Sequence, residues 1–179
     1  MPRRPLDYYE TPPHYAAALL DTIGSLTGCT VYEPCVGYRH IAGYLTDARQ
    51  LLTNDLDPGH PASSHEDART AAAWPAGEDE ERFDWTITNP PFSDALPILR
   101  HALRCSRNVA FLVRLSFLEP TRTREVFWCQ HPPTGLIVLP RYSFRLNDLG
   151  RRQTDSVTCC WLIYQEGRAP AVSFSWRRS

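Results

Sequence analysis

The chain is 179 residues long, 42% of them hydrophobic, and carries a formal net charge of −1. That is enough apolar material for one real core, which excludes a disordered segment, and no apolar run is long enough to span a bilayer. A single domain over residues 1–179 is expected. The start, Met1-Pro2-Arg3-Arg4-Pro5, has no apolar stretch behind it, which argues against a secretory signal and leaves the cytoplasm as the expected compartment.

The near-zero charge hides a segregation. Residues 1–99 hold six arginines against fifteen aspartates and glutamates, residues 100–179 hold thirteen against five, and lysine is absent. A codon bias towards arginine accounts for the missing lysine but not for the segregation. Guanidinium forks match phosphate, so the second half is a candidate phosphate-binding face, the plain alternative being solvated charges. The cysteines (Cys29, Cys35, Cys105, Cys129, Cys159 and Cys160) form no C-x-x-C pair. This argues against a zinc site, and thiols serving mostly as small core residues are expected.

Taken in order, Thr11-Pro12-Pro13 reads as a helix start, with Thr11 as N-cap and Pro12 at the first position. Tyr15, Leu19 and Thr22 or Ile23 then recur at helical spacing. Residues 29–37 read as a strand running into a tight loop, Glu33-Pro34-Cys35-Val36-Gly37, with a helix beginning across Tyr38 to Leu45. Gln50 to Gly59 is a second short strand ending in the acidic turn Asp55-Leu56-Asp57. Its distance from the first loop, roughly 20 residues, suits one βαβ crossover. His65-Glu66-Asp67-Ala68 follows, either a surface turn or the segment just after a third strand, and residues 75–82 form a polar acidic loop. Phe83 to Asn89 is a buried strand cut off by Pro90 and Pro91.

In the second half, Ser93 or Asp94 caps a helix to about Cys105, with Leu96, Leu99 and Leu103 on one face. Asn108 to Leu115 is a continuous apolar strand, buried on both faces. A helix over Thr121–Gln130 and a strand over Leu136–Pro140 lead to Arg141-Tyr142-Ser143-Phe144-Arg145. Asn147 to Asp155, with Gly150, Arg151 and Arg152, reads as a basic loop. Ser156 to Gln165 is a strong strand, with Ala171–Trp176 as its candidate neighbour.

The stretch richest in chemistry is Asn89-Pro90-Pro91-Phe92. It sets a side-chain amide at the carboxyl end of a strand, where ligands of open α/β sheets sit, followed by a rigid turn and an aromatic ring. An exocyclic amine on a nucleobase is a poor nucleophile, because its lone pair is delocalised into the ring. The Asn89 side-chain oxygen and the Pro90 carbonyl can each accept one of its N–H groups, stabilising the positive charge that grows as a methyl group arrives. Phe92 can stack on a base drawn out of a helix. The plain alternative is a strand ending in a Pro-Pro turn.

This tetrapeptide resembles motif IV of the S-adenosylmethionine (SAM)-dependent amino-methyltransferases, the family that includes the DNA adenine-N6 enzymes. Tyr9-Glu10-Thr11-Pro12-Pro13 resembles their motif X, and Glu33-Pro34-Cys35-Val36-Gly37 resembles motif I, with Arg39 where a second glycine is usual. Asp55 resembles the acidic residue of motif II. Asp67, with Glu66 as competitor, resembles that of motif III. Phe144 or Tyr142 resembles the aromatic of motif VIII, and Arg114-Leu115-Ser116-Phe117-Leu118-Glu119 is similar to a run in small phage-type members.

The resemblance implies a Rossmann-like class I methyltransferase: α/β, a seven-stranded, mostly parallel sheet with a C-terminal antiparallel hairpin, and helices on both faces. It implies methyl transfer from SAM to adenine N6 in DNA, on a flipped-out base and without a covalent intermediate. Asn89, Pro90, Pro91 and Phe92 are then catalytic. Thr11, Glu33, Pro34, Cys35, Gly37, Asp55, Leu56, Asp67 and Asn89 hold SAM, with Asp55 on the ribose hydroxyls and Asp67 on the adenine amino group. Phe92 and Tyr142 or Phe144 grip the base, and Arg141, Arg145, Arg151 and Arg152 meet phosphates. A separate target-recognition domain has no room, so specificity is expected to be weak or to come from the 147–155 loop, a second copy or a partner chain. Cytosine N4 in DNA, amines in RNA, protein glutamine and a non-catalytic nucleic-acid-binding module stay open as alternatives.

Overall fold

In the computed structural model, residues 10–75, 82–119, 121–141 and 157–172 are described. One six-stranded sheet forms from β1 (Thr30–Glu33), β2 (Gln50–Thr53), β3 (Phe83–Thr88), β4 (Ser106–Arg114), β5 (Gly135–Val138) and β6 (Cys159–Gln165), in the order β2-β1-β3-β4-β6-β5. The pairs β2–β1, β1–β3 and β3–β4 are parallel. β6 runs antiparallel to both β4 and β5, so the sheet ends in an antiparallel pair. The stretch Ala171–Trp176, the candidate extra strand, lies outside the described residues beyond Val172, and Ala171 and Val172 are not in a strand.

The strand expected before Asp67 does not form, which leaves six strands among the described residues rather than seven. Residues 63–66 are instead gathered by Asn54. Its Nδ2 donates to the carbonyls of Pro34 (3.0 Å) and Glu66 (2.9 Å), and its Oδ1 accepts from Ser64 Oγ and the Glu66 N–H, both at 2.9 Å. That uses the whole hydrogen-bonding capacity of a buried amide, and one parallel bridge, Asn54 to Ser64, is all the ladder that results. A run of Pro, Ser, His and acidic residues has little to pack on a pleated surface.

The core has two layers because the central strands are buried on both faces. Val109, Phe111 and Val113 of β4 and Cys160, Leu162 and Tyr164 of β6 face α2 (Ala95–Cys105) and α3 (Arg122–Gln130). Ala110 and Leu112 of β4 with Trp161 and Ile163 of β6 face α1 (Pro13–Ile23). Helices therefore cover both faces. The buried stripe of α2 is Ala95, Ile98, Leu99 and Ala102, with Leu96 and Leu103 half-buried beside it. The helix expected over Tyr38–Leu45 is a single 3-10 turn, Ala42–Tyr44. Gly37 at φ 52° and Arg39 at φ 65° put left-handed residues where a helix would have to start.

Two long-range bonds seat α1. The Trp161 indole donates to the Tyr15 carbonyl at 2.8 Å, and the Tyr15 hydroxyl donates to the Pro140 carbonyl at 2.6 Å. Thr121 caps α3, its hydroxyl accepting the Arg124 N–H at 3.3 Å. The N-cap of α1, by contrast, is Pro12, and no side chain caps it. Thr11, expected there as the cap, has another partner.

Candidate active site

The chain passes from β1 to β2 on one side of the sheet and returns to β3 on the other. Loops leaving β1 and β3 at their carboxyl ends therefore diverge and leave a crevice, the usual ligand place in an open α/β sheet. A cavity of about 320 Å³ occupies it, at the small end of ligand pockets, which run from roughly 300 to 1,000 Å³. Its wall is made by four segments: Glu33, Pro34, Cys35 and Gly37 after β1; Asp55 and Leu56 after β2; Asn89, Pro90 and Pro91 after β3; and Thr11 ahead of α1. Asp67 completes it. The residues named from sequence as the SAM set thus share one cavity.

Asp55 ties the first two loops together. One carboxylate oxygen accepts the Gly37 N–H at 2.8 Å, and the other accepts the Asp57 N–H at 3.0 Å and lies 2.9 Å from His60 Nδ1. A carboxylate has about four acceptor positions, so one is left for a hydroxyl of a ligand. Glu33 is fully buried. Burial pushes its carboxyl well above the ordinary 4.5, against the Arg39 charge and the Ala42 N–H, which favour the anion. One of its oxygens, Oε2, has no hydrogen-bond partner among the described residues. Burial likewise pushes the Cys35 thiol up.

Asn89 Nδ2 donates to the Thr11 hydroxyl at 3.0 Å, and Thr11 is itself buried. With the amide nitrogen turned to Thr11, Oδ1 points to the other side of the amide carbon. Pro90 and Pro91 follow with no N–H to compete.

Asp67 reaches the cavity already engaged. The Arg69 guanidinium meets it with Nη2–Oδ2 at 2.6 Å and Nε–Oδ1 at 2.9 Å, and this hydrogen bonding holds the Asp67 carboxyl below its usual range. Arg69 Nη1 also lies 3.6 Å from Asp94, so one guanidinium stands between the Asp67 loop and the start of α2. Asp94 therefore pairs with Arg69 and does not cap α2 through its side chain.

Sequence reasoning did not find Arg69, His40, His60 or Ile98 in this wall. Neither spacing nor motif marks them: each arrives through a turn or a helix face brought over the crevice by tertiary packing. Phe92, the aromatic of the same turn, does not line this cavity. It lines a second, smaller one, with the Arg114 guanidinium carbon 4.7 Å from its ring centre. Arg141 is exposed. Tyr142, Phe144, Arg145, Arg151 and Arg152, like the 147–155 loop, lie outside the described residues.

Solved structures with the same architecture carry related descriptions. A protein of Pyrococcus horikoshii described as an RNA methyltransferase superposes with a TM-score of 0.65 at 18% identity, over 90% of this chain and 88% of its own. A type I restriction-modification methyltransferase subunit from Streptococcus thermophilus gives 0.63 at 15%, over 90% of this chain and 45% of its own. The fold is that of the Rossmann-like methyltransferases. The 23S rRNA methyltransferase ErmE adds a TM-score of 0.60 at 17% identity, over 93% of this chain and 73% of its own. Such identities carry the fold alone, and the chain spans less than half the length of the restriction-modification subunit. No family model and no curated protein sequence matches the chain.

Proposed function

We propose that this chain transfers a methyl group from SAM to the N6 amino group of adenine in DNA, acting on a flipped-out base. The observation that carries the reading is the Asn89–Thr11 bond, which holds a side-chain amide at the end of β3 inside the cavity that Glu33 and Asp55 enter from β1 and β2. When bound, SAM supplies its methyl group as an electrophile on a positively charged sulfur. The donor set suits such a ligand. The buried Glu33 carboxyl, whose Oε2 has no partner among the described residues and whose burial disfavours the anion, would take its charged form opposite the ammonium group. Asp55 accepts from a ribose hydroxyl, and Asp67 and Leu56 take the adenine end, with Arg69 sharing the Asp67 carboxylate.

On the acceptor side, Asn89 Oδ1 and the Pro90 carbonyl each accept one N–H of the target amine. This favours a lone pair turned towards the methyl group and stabilises the charge that develops on nitrogen. Thr11 orients the amide from behind. Pro91 stiffens the turn, and gripping the base falls to Tyr142 or Phe144, because Phe92, the ring expected to stack on it, faces the second cavity instead. Arg141, Arg145, Arg151 and Arg152 belong to the nucleic-acid face, and specificity comes from the 147–155 loop, a second copy or a partner chain.

The test is incubation with isotopically labelled SAM and DNA, then digestion and mass spectrometry, which names the base and the atom. Asn89→Ala should lower turnover about a hundredfold or more while SAM affinity by calorimetry stays within a few-fold. Equal loss of both would reduce Asn89 to a structural residue. RNA is the second reading, because the two neighbours described as RNA methyltransferases are matched over 88% and 73% of their own lengths. Running RNA and DNA in parallel separates the two, and a chain that binds no SAM would be a nucleic-acid-binding module.

A further inference from the structure

The Asn89–Phe92 turn and the start of α2 form a wall between two cavities. Asn89, Pro90, Pro91 and Asp94 face the larger one, Phe92 and Ala95 face a smaller one of about 230 Å³, and Ser93 lines both. The smaller cavity lies where β4 ends and the chain turns through Leu115–Leu118 towards α3. Arg114, Ser116, Phe117 and Arg124 line it, so two guanidinium groups and no carboxylate face it among the described residues.

Both arginines rest on aromatic rings: Arg114 on Phe92, and Arg124 on Phe117 with its guanidinium carbon 5.0 Å from the ring centre. Arg124 is fixed further by Nη1, which donates to the carbonyls of Ser116 and Phe117 at 3.3 and 3.4 Å. A ring contact is made with the π face and takes no lone pair, so it consumes no N–H. The Nε and Nη2 groups of Arg124 have no acceptor among the described residues. A half-buried guanidinium, held in place and with donors to spare, is built for an anion.

We propose that this second cavity binds a backbone phosphate of the acceptor nucleic acid, the one adjoining the nucleotide whose amine sits on Asn89. The inference rests on the function proposed for the larger cavity. A nucleotide carries its phosphate one sugar away from its base, so a strand whose base enters the larger cavity has to run past the dividing turn. A base stacked between Phe92 and Phe117 is a poorer fit, since each ring already has a guanidinium over it.

The experiment is fluorescence anisotropy of a labelled, short, single-stranded, adenine-containing oligonucleotide against the full chain. Arg124→Gln should weaken binding about five-fold or more at low salt and reduce the slope of log affinity on log salt by about 0.7, the share of one single-strand phosphate. Arg122→Gln, an exposed arginine on the same helix, should change affinity by less than about two-fold. Ser116→Asp, which adds a carboxylate at the exposed edge and keeps Arg124, should reproduce the loss and so covers the case in which Arg124→Gln does not fold. A methylphosphonate beside the adenine should weaken wild-type binding and have no further effect on Arg124→Gln.

Equal affinities and salt slopes for wild type, Arg124→Gln and Ser116→Asp would overturn the phosphate site, as would competition by an acidic peptide as strong as by the oligonucleotide. Methyl transfer by wild type measured alongside keeps the two proposals apart. Transfer without Arg124-dependent binding sinks the phosphate site alone. Arg124-dependent, methylphosphonate-sensitive binding without transfer supports the phosphate site and sinks the reaction.

Discussion

Asn89 takes its orientation from a hydroxyl supplied 78 residues earlier in the chain, that of Thr11. Thr11→Val keeps the shape and removes this acceptor, at a cost of about 1–2 kcal/mol. Turnover should then fall about tenfold or more, while Thr11→Ser keeps it within about two-fold, as single-turnover kinetics would show. Glu33 makes a second prediction. Because burial raises its folded-state pKa, the folded protein holds a proton that the unfolded chain gives up above about 4.5. Its contribution to stability is fully present below that value and is lost as pH rises through the folded pKa. A cation beside the carboxylate draws that pKa back down, so SAM binding should release a proton and tighten as pH rises through the same window. Glu33→Gln should abolish both dependences, raise the melting temperature of the ligand-free protein at neutral pH and weaken SAM binding, as calorimetry in buffers of different ionisation heat would register. Arg39, where the related motif has a second glycine, adopts φ 65°. The departure in residue type therefore keeps a glycine-like backbone, at a cost of roughly 1–2 kcal/mol.

At the scale of elements, the site depends on α1 meeting β6. α1 carries Thr11 to the cavity, and β6, the last strand described, holds α1 through the Trp161–Tyr15 bond, with Tyr15 in turn tied to Pro140. Trp161 is fully buried. Trp161→Phe removes the bond and some packing volume, and should cost about 1–3 kcal/mol in urea unfolding. Because the loosened element is the one that carries Thr11, turnover should suffer more than SAM affinity. The β1 and β2 loops are joined independently, by Asp55 on Gly37 and by Asn54 on Pro34 and Glu66. The missing strand is therefore no loss to the cavity: side-chain bonds from β2 seat the Asp67 segment that a strand would otherwise have carried.

Across the whole molecule, the charge segregation acquires a spatial meaning. The acidic first half contributes Glu33, Asp55, Asp67 and Asp94 to the larger cavity, together with Arg69, which pairs with Asp67 and Asp94. The arginine-rich second half contributes Arg114 and Arg124 to the smaller one, across the dividing turn. A ligand that bridges the β1, β2 and β3 loops with α1 stabilises the folded state by mass action. SAM at a hundredfold excess over its Kd contributes about 2.7 kcal/mol, which should raise the melting temperature by about 5–10 °C in a chain of this size. No shift at saturating SAM would remove the cofactor from the proposal.

The sequence by itself determined the six strands that do form, the prolines that end β3, and the positions from which Glu33, Asp55 and Asn89 enter one crevice. Those signals are local: apolar runs, β-branched residues and Pro-Pro act over a few residues, and the crossover order then brings the loops to one edge. What only the tertiary structure decided lies in contacts between distant segments. Thr11 serves Asn89 and not its own helix, Arg69 occupies Asp67, Asn54 gathers a segment that looked like a strand, and Phe92 turns away into a second cavity beside Arg114. A side-chain hydrogen bond or a guanidinium resting on a ring has no period and no fixed spacing, so it leaves no mark in the chain until folding brings the partners together.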